Sequence, residues 1–200
     1  PVTGLEVVGS EMRTRPGWDG NIRPVAGVSN PSGTILSVPP RHVEAVRASG
    51  DTLDEVAKHI GVIVGMPEAV FYQGVFRWSE EPTPTDDPGI WIPPEDPRVT
   101  EWLKPFNGVV LASFEDDVLI AGVGRKQHDS YGHELAVVTQ ETHQRKGLAK
   151  RLVAQAARRV LADGAIPTYF HQASNLASSA TADAAGFPDR GWKIIGLFRT

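Results

Sequence analysis

The spacing of apolar residues changes character about halfway along the chain. Before Phe106 the apolar groups are short and broken by proline; after it they settle into alternating or helically spaced runs. The first thirty or so residues, including EMRTRPGWDGNIRPVAGVSNPSG, hold no sustained period and predict an irregular arm over 1–32. TILSV then predicts a short strand, and PPRHVEAVRA a helix with proline at its start. TLDEVAKHIG predicts a second helix, with Thr52 and Glu55 at capping-box spacing, and AVFYQGVFRW a strand rich in aromatic and β-branched residues. From Glu80 to Pro97, EEPTPTDDPGIWIPPEDP carries six prolines and six acids and predicts a long exposed loop without regular structure. PRVTEWLKPF predicts a short helix opened by Pro97.

The second half is more regular. GVVLASF and VLIAGVGRK flank Glu115-Asp116-Asp117 and predict a hairpin with an acidic turn. HELAVVT is a third strand. The next run places Leu148, Ala149, Leu152, Val153, Ala156, Ala157, Val160 and Leu161 on half of a helical wheel, with Arg151, Gln155 and Arg158 opposite and Gly164 as the stop. AIPTYFHQ predicts a strand, SNLASSATADAAGF a helix ending at Gly186, and WKIIGLF a closing strand. The order β-β-β-α-β-α-β is that of an α/β domain with a mixed sheet.

Composition narrows the classes. Two hundred residues at 40% hydrophobic content suit one globular domain, and a formal charge of −4 argues against a nucleic-acid partner. No apolar run approaches a membrane span, and the start has neither the basic nor the apolar part of a signal peptide, so a cytoplasmic protein with no membrane partner is expected. Without cysteine there is no disulfide, zinc–thiolate site or thiol nucleophile. The six histidines form no recognisable ligand set, and no metal is expected.

Charge at the start of the long helix is the most informative feature. Arg145, Lys146, Lys150 and Arg151 surround the positive end of the helix dipole, where each cation costs roughly 0.3–1 kcal/mol unless an anion sits among them. Gly147 and Ala149 leave room for a phosphate to approach the backbone N–H groups, and the helix start follows the carboxyl end of a strand. No Walker A loop is present. Gly122-Val123-Gly124 supplies two glycines of a dinucleotide fingerprint but Gln127 holds the third place, so close packing or a bulge is the simpler reading.

Gln144-Arg145-Lys146-Gly147-Leu148-Ala149 fits Q/R-x-x-G-x-G/A and resembles the coenzyme A pyrophosphate motif of the GNAT superfamily of N-acetyltransferases. The preceding strand, the Ala-rich helix, Asn175 at the next helix start and Ala185-Gly186-Phe187 at its end follow the family's order, over about Gly108 to Thr200. The resemblance implies one GNAT-like domain over 1–200, with a divergent half over 33–105 and an acyl-CoA-binding half over 106–200. Its fold would be a mixed, mainly antiparallel twisted α/β sheet with helices on both faces, whose parallel strands HELAVVT and AIPTYFHQ splay apart next to a bulge. It further implies acetyl-CoA as cosubstrate, with backbone groups of Val137, Val138 and Thr139 along the pantetheine arm. N–H groups of the segment from Gln144 through Arg145, Lys146, Gly147, Leu148, Ala149 and Lys150 would hold the pyrophosphate, while Asn175 and Ser178 suit the pantetheine amides, or a simple helix cap.

For acetyl transfer to an amine, the resemblance points to a backbone N–H near Val138 to polarise the thioester, and to Glu134 or His133 as base; either can equally be a solvated strand-end residue. The family's usual tyrosine acid, five residues before the phenylalanine of the GF pair, falls on Ala182, so Tyr169, Thr181, Ser178 or water is left to serve the thiolate, or no acid is needed. The expected function is N-acyl transfer from acetyl-CoA to a small-molecule or peptide amine by direct attack in a ternary complex, in a possible homodimer. The alternative is a catalytically silent acyl-CoA-binding or regulatory module.

Overall fold

The computed structural model describes residues 3–198; positions 1 and 2 of the expected arm, and 199 and 200 of the C-terminal half, lie outside the described residues. In chain order the elements are β1 (Gly4–Gly9), β2 (Ala26–Asn30), β3 (Gly33–Val38), α1 (Val43–Arg47), α2 (Leu53–Ala57), α3 (Ile60–Ile63) and β4 (Val70–Trp78). They continue with β5 (Ile90–Ile92), β6 (Val110–Glu115), β7 (Val118–Gln127), β8 (Gly132–Thr139), α4 (Leu148–Ala162), β9 (Ile166–His171), α5 (Leu176–Ala185) and β10 (Lys193–Phe198). No helix among the described residues is long and apolar enough to cross a membrane.

The chain forms two compact units, divided at Phe76/Arg77 and Arg190/Gly191. These limits differ from the 105/106 boundary expected from the sequence because β10 pairs antiparallel with both β2 and β4 and so returns to the N-terminal unit.

In the N-terminal unit β1 pairs parallel with β3, and β3 pairs antiparallel with β2. The expected irregular arm therefore contains two strands, which is a correction. Each is short and interrupted by glycine or polar residues, and each forms by pairing along TILSV rather than by its own periodicity. The core gathers Val7, Leu36, Val38, Val46, Val56, Ile60 and Ile195. Thr52 and Glu55 make the predicted capping box at the start of α2.

In the second unit, residues 77–190, β8 pairs parallel with β9 and antiparallel with β7, followed by β6 and β5. The β6–β7 hairpin turns through Asp116 and Asp117, both left-handed at φ 48° and 61°, as a tight hairpin turn requires. One face of this sheet carries α4 and α5, with Leu152 and Val153 of α4 packed against Leu111, Val123, Leu135, Tyr169 and Phe187. The other is covered by Val99, Leu103 and Phe106, against Ile92, Val110, Ala112 and Leu119.

Two expectations for the region before β6 are corrected. Ile90–Ile92, expected in an irregular loop, is an edge strand on Val110–Ala112; Pro88 and Pro93 flank it and so remove none of its hydrogen bonds. PRVTEWLKPF forms turns rather than a helix, with Val99 N–H donating to Asp96 and Leu103 and Lys104 N–H donating to Thr100. The Asp96 carboxylate binds the backbone and guanidinium of Arg98, favouring a turn over a helical start, and Pro105 ends the segment.

Nor is the 80–97 segment a free loop, because its middle is strapped along α4. The amide of Gln155 pairs with both backbone groups of Gly89 (3.0 and 2.9 Å), Arg158 donates to the carbonyls of Thr83 and Thr85, and Asp87 binds Arg158. Gln155, expected to face solvent, is buried for this reason.

Gly122 and Gly124 close-pack. An added Cβ at Gly124 would stand 1.8 Å from the Phe106 ring, and at Gly122 2.7 Å from Leu103. Gly124→Val should therefore displace Phe106 and lower stability by about 1–3 kcal/mol, the usual range for overpacking. Denaturant unfolding followed by tryptophan fluorescence checks this, since Trp102 packs edge-on to Phe106 at 5.3 Å.

Candidate functional site

The β8–β9 register runs from Gly132↔Ile166 to Leu135↔Tyr169 and stops there, while β8 continues to Thr139 paired with β7 alone. The edge of Ala136–Thr139 that turns from β7 therefore opens on a gap between diverging strands. Val137 packs toward α4 and Val138 toward the opposite core, as strand alternation demands. Both arms of the fork carry a buried polar atom without a partner among the described residues: Thr139 Oγ1 on β8 and His171 Nε2 on β9. A dry gap would leave these costly, whereas a polar chain laid in the fork could satisfy them. A register shift lies at Ser113/Phe114, between β6 and β7; the described β7–β8 and β8–β9 pairings run without one.

Beyond the fork the chain makes a short 3-10 turn at Glu141–His143 and enters α4 through Gln144–Gly147. Gln144 Nε2 donates to the Thr139 carbonyl at 3.2 Å. Arg145 and Gly147 are left-handed at φ 61° and 76°, the alternation that turns successive N–H groups into one concave surface. Among the described residues, the N–H groups from Arg145 to Lys150 donate to no acceptor, and no side chain caps α4. Leu148 is buried as the anchor, Ala149 half-buried, and Arg145, Lys146 and Lys150 are exposed, with no carboxylate of the described residues in ion-pair range. Arg151 is different: Asp86 holds it at 2.6 Å, so this fourth cation already has an anion within the protein. What remains is an N–H concavity ringed by three cations, suited to a phosphate group.

The candidate acid–base residues divide between the two faces of β8. Glu134 lies on the face away from α4, between Lys126 and His128, with His128 Nε2 at 3.3 Å. Burial works to raise its carboxyl, but the His128 hydrogen bond and the Lys126 ammonium outweigh it and hold the group below the usual glutamate value. His133 points the other way. Its Nδ1 accepts from Arg125 Nε at 3.1 Å and its Nε2 faces the Asp129 carbonyl at 3.0 Å, while Arg125 reaches Asp163 at the end of α4 (2.7 Å). Both ring nitrogens are engaged, so the structure does not bring His133 together with Glu134.

Tyr169 stands at the last paired position of the fork, its hydroxyl 2.9 Å from Ser178 Oγ on α5. Asn175 Oδ1 accepts from Ser178 N–H at 3.0 Å and thus caps α5. Ala182 is fully buried in the core with Tyr169 and Phe187, leaving no room for a ring at that position.

Arg77 was not legible in the sequence as anything but a strand residue. Buried at the end of β4, it binds Asp183, the Phe187 carbonyl (3.0 Å) and Ser179 Oγ (2.8 Å), clamping α5 from beneath. Among the described residues no group of three His, Cys, Asp or Glu side chains is placed to hold a metal ion.

Burial, and then the neighbouring Arg125, hold His133 below its ordinary value, so folding favours the neutral ring. A proton then binds the unfolded chain first, and the stability from His133 is present above about pH 6.5 and lost as pH falls through the folded value. Stability should thus decline from about pH 7 to 5, and His133→Asn should flatten that part of the profile, as measured by urea unfolding at each pH.

A profile of the acetyltransferase (GNAT) family matches residues 72–187, more than half of the chain. The fold is similar to that of a protein from Novosphingobium aromaticivorans DSM 12444 assigned to the GNAT family (TM-score 0.55, 20% identity, covering 66% of this chain and 67% of that one). It is also similar to a GCN5-related N-acetyltransferase-like protein from Streptococcus suis 89/1591 (TM-score 0.56, 16% identity, covering 82% and 79%). A sequence comparison with curated proteins finds no match. The profile match, on a sheet that forks where the family's motif follows, places this chain in the GNAT family of acetyltransferases.

Proposed function

We propose that the protein transfers an acetyl group from acetyl-CoA to the amine of a small molecule or peptide, by direct attack in a ternary complex. The observation that carries this reading is the continuity of an open strand edge, Ala136–Thr139, with the N–H concavity of Arg145–Lys150. An acyl-CoA has the matching parts in the matching order: a thioester, an arm with two amides, and a diphosphate. The arm would pair with backbone groups of Val137–Thr139 and lie beside Thr139 Oγ1 and His171 Nε2. The diphosphate would accept from the N–H groups near Gly147 among Arg145, Lys146 and Lys150.

Amide formation requires the acceptor to arrive as, or become, a free amine. Glu134 is suited to the first contact, because a carboxylate held ionised between Lys126 and His128 attracts an ammonium. It receives the proton directly or through water, and the nitrogen then attacks the carbonyl carbon. A backbone N–H of β8 near Val138 stabilises the developing oxyanion.

Two measurements test the reading. Gly147→Glu adds bulk and charge at a left-handed position, and Lys150→Glu reverses a charge without disturbing the backbone. Both should weaken acetyl-CoA binding in calorimetry, the second by about tenfold or more; normal binding by both would show that the phosphate site is elsewhere. With an amine panel and free-thiol detection, Glu134→Gln should lower kcat by roughly 10²–10⁴-fold with little change in acetyl-CoA affinity. Tight binding without thiol release in the parent would instead identify a silent acyl-CoA-binding module.

A further inference from the structure

We infer that the acceptor is a free α-amino acid, its carboxylate taken by Lys126 and its ammonium by Glu134; this names the substrate class of the site and rests on the reading of the chain as an acetyl-CoA-dependent transferase. Lys126 and Glu134 are register partners on β7 and β8, and their charged ends meet on the face away from α4. His128 Nε2 stands 3.3 Å from the other oxygen of the same carboxylate. Thr168, the partner of Glu134 on β9, adds a hydroxyl to the row. The row lies one register step before the last β8–β9 pair, so a group held by Glu134 sits at the closed end of the fork.

Charge balance decides what this row accepts. The side chains of Glu134 and Lys126 are only 14% and 22% exposed, so both charges are largely withdrawn from water and each depends on the other. Among the described residues, Glu134 is the one carboxylate in ion-pair range of Lys126. An acceptor whose only charge is an ammonium must share or displace Lys126, and two cations then compete for one carboxylate. The imbalance grows as the reaction proceeds, because a proton passed to Glu134 leaves Lys126 with no anion. A carboxylate on the carbon next to the amine removes both penalties. The acceptor enters as an ion pair of opposite sense, and the resulting group of four charges is neutral. After the proton has moved, Lys126 keeps the acceptor carboxylate as its counter-ion, and the free nitrogen faces the thioester. Lys126 and Glu134 are in contact, so a carboxylate many bonds from the amine, as in a peptide, does not serve.

The neighbours of Lys126 select the side chain as well. Its ammonium lies 5.5 Å from the centre of the Phe106 ring, and Trp102 packs edge-on to Phe106 while remaining 46% exposed. An apolar side chain on the amino acid covers this aromatic surface, whereas a charged one loses water against it without gaining a partner.

The test is a panel of α-amino acids, each assayed beside its carboxamide and its decarboxylated amine, with free-thiol release from acetyl-CoA as the readout. In the parent, kcat/KM should be at least about tenfold higher for the amino acid than for either analogue, chiefly through KM, with apolar members leading. Lys126→Gln should remove most of that preference, and Lys126→Arg should retain it. The preference is a ratio taken within each protein, so any change that the substitution makes to the basicity of Glu134 cancels. Equal use of amino acid and carboxamide by the parent, or an undiminished ratio in Lys126→Gln, would overturn the assignment and leave the transferase reading standing. Thiol release with no member of the panel, despite binding of acetyl-CoA in calorimetry, would overturn the transferase reading and this acceptor with it.

Discussion

Hydrogen bonding between β8 and β9 ends after Leu135 and Tyr169, and the site depends on that termination. Backbone N–H and C=O groups inside a protein must find partners, so a strand edge that opens inside a packed sheet is costly unless something is laid along it. The surrounding packing holds the edge open. Helices α4 and α5 pack together on one face, Phe106 and Leu103 press against the glycines of β7 on the other, and Arg77 clamps α5 so that Ser178 meets Tyr169. Buried polar atoms left unpaired on both arms follow from the same geometry.

Charge is distributed to suit this arrangement. Two acids of the proline-rich segment serve as counter-ions to the outer arginines of α4, Asp86 for Arg151 and Asp87 for Arg158, and Gln155 completes the strap by pairing with Gly89 as a strand would. The segment is thus part of the helix's packing. The neutralisation stops at Arg151. Ahead of it, three cations and a run of N–H groups have no partner among the described residues, and this is where the helix dipole would favour an anion.

Much of the second unit could be read directly. The hairpin at Asp116-Asp117, the strands either side of α4, the caps of α2 and α5, and the phosphate-facing segment 144–150 are local: each depends on period, turn chemistry or the end of one helix. Glu134 and His133 show the limit. Adjacent in sequence, they face opposite sides of β8; one is held between Lys126 and His128 and the other is locked by Arg125, and neither partner set is visible before the strands are paired.

The sequence by itself determined the GNAT-like order of elements and the anion-seeking helix start, because both are written in residues within a few positions of each other. Only the tertiary structure decided that the N-terminal segment forms strands along β3, that Ile90–Ile92 joins β6, that Arg151 is already neutralised, and that Tyr169 stands where the fork opens. Those features depend on partners tens of residues away. Hydrogen-bond and charge complementarity over such separations follow from chain topology, which no local period encodes.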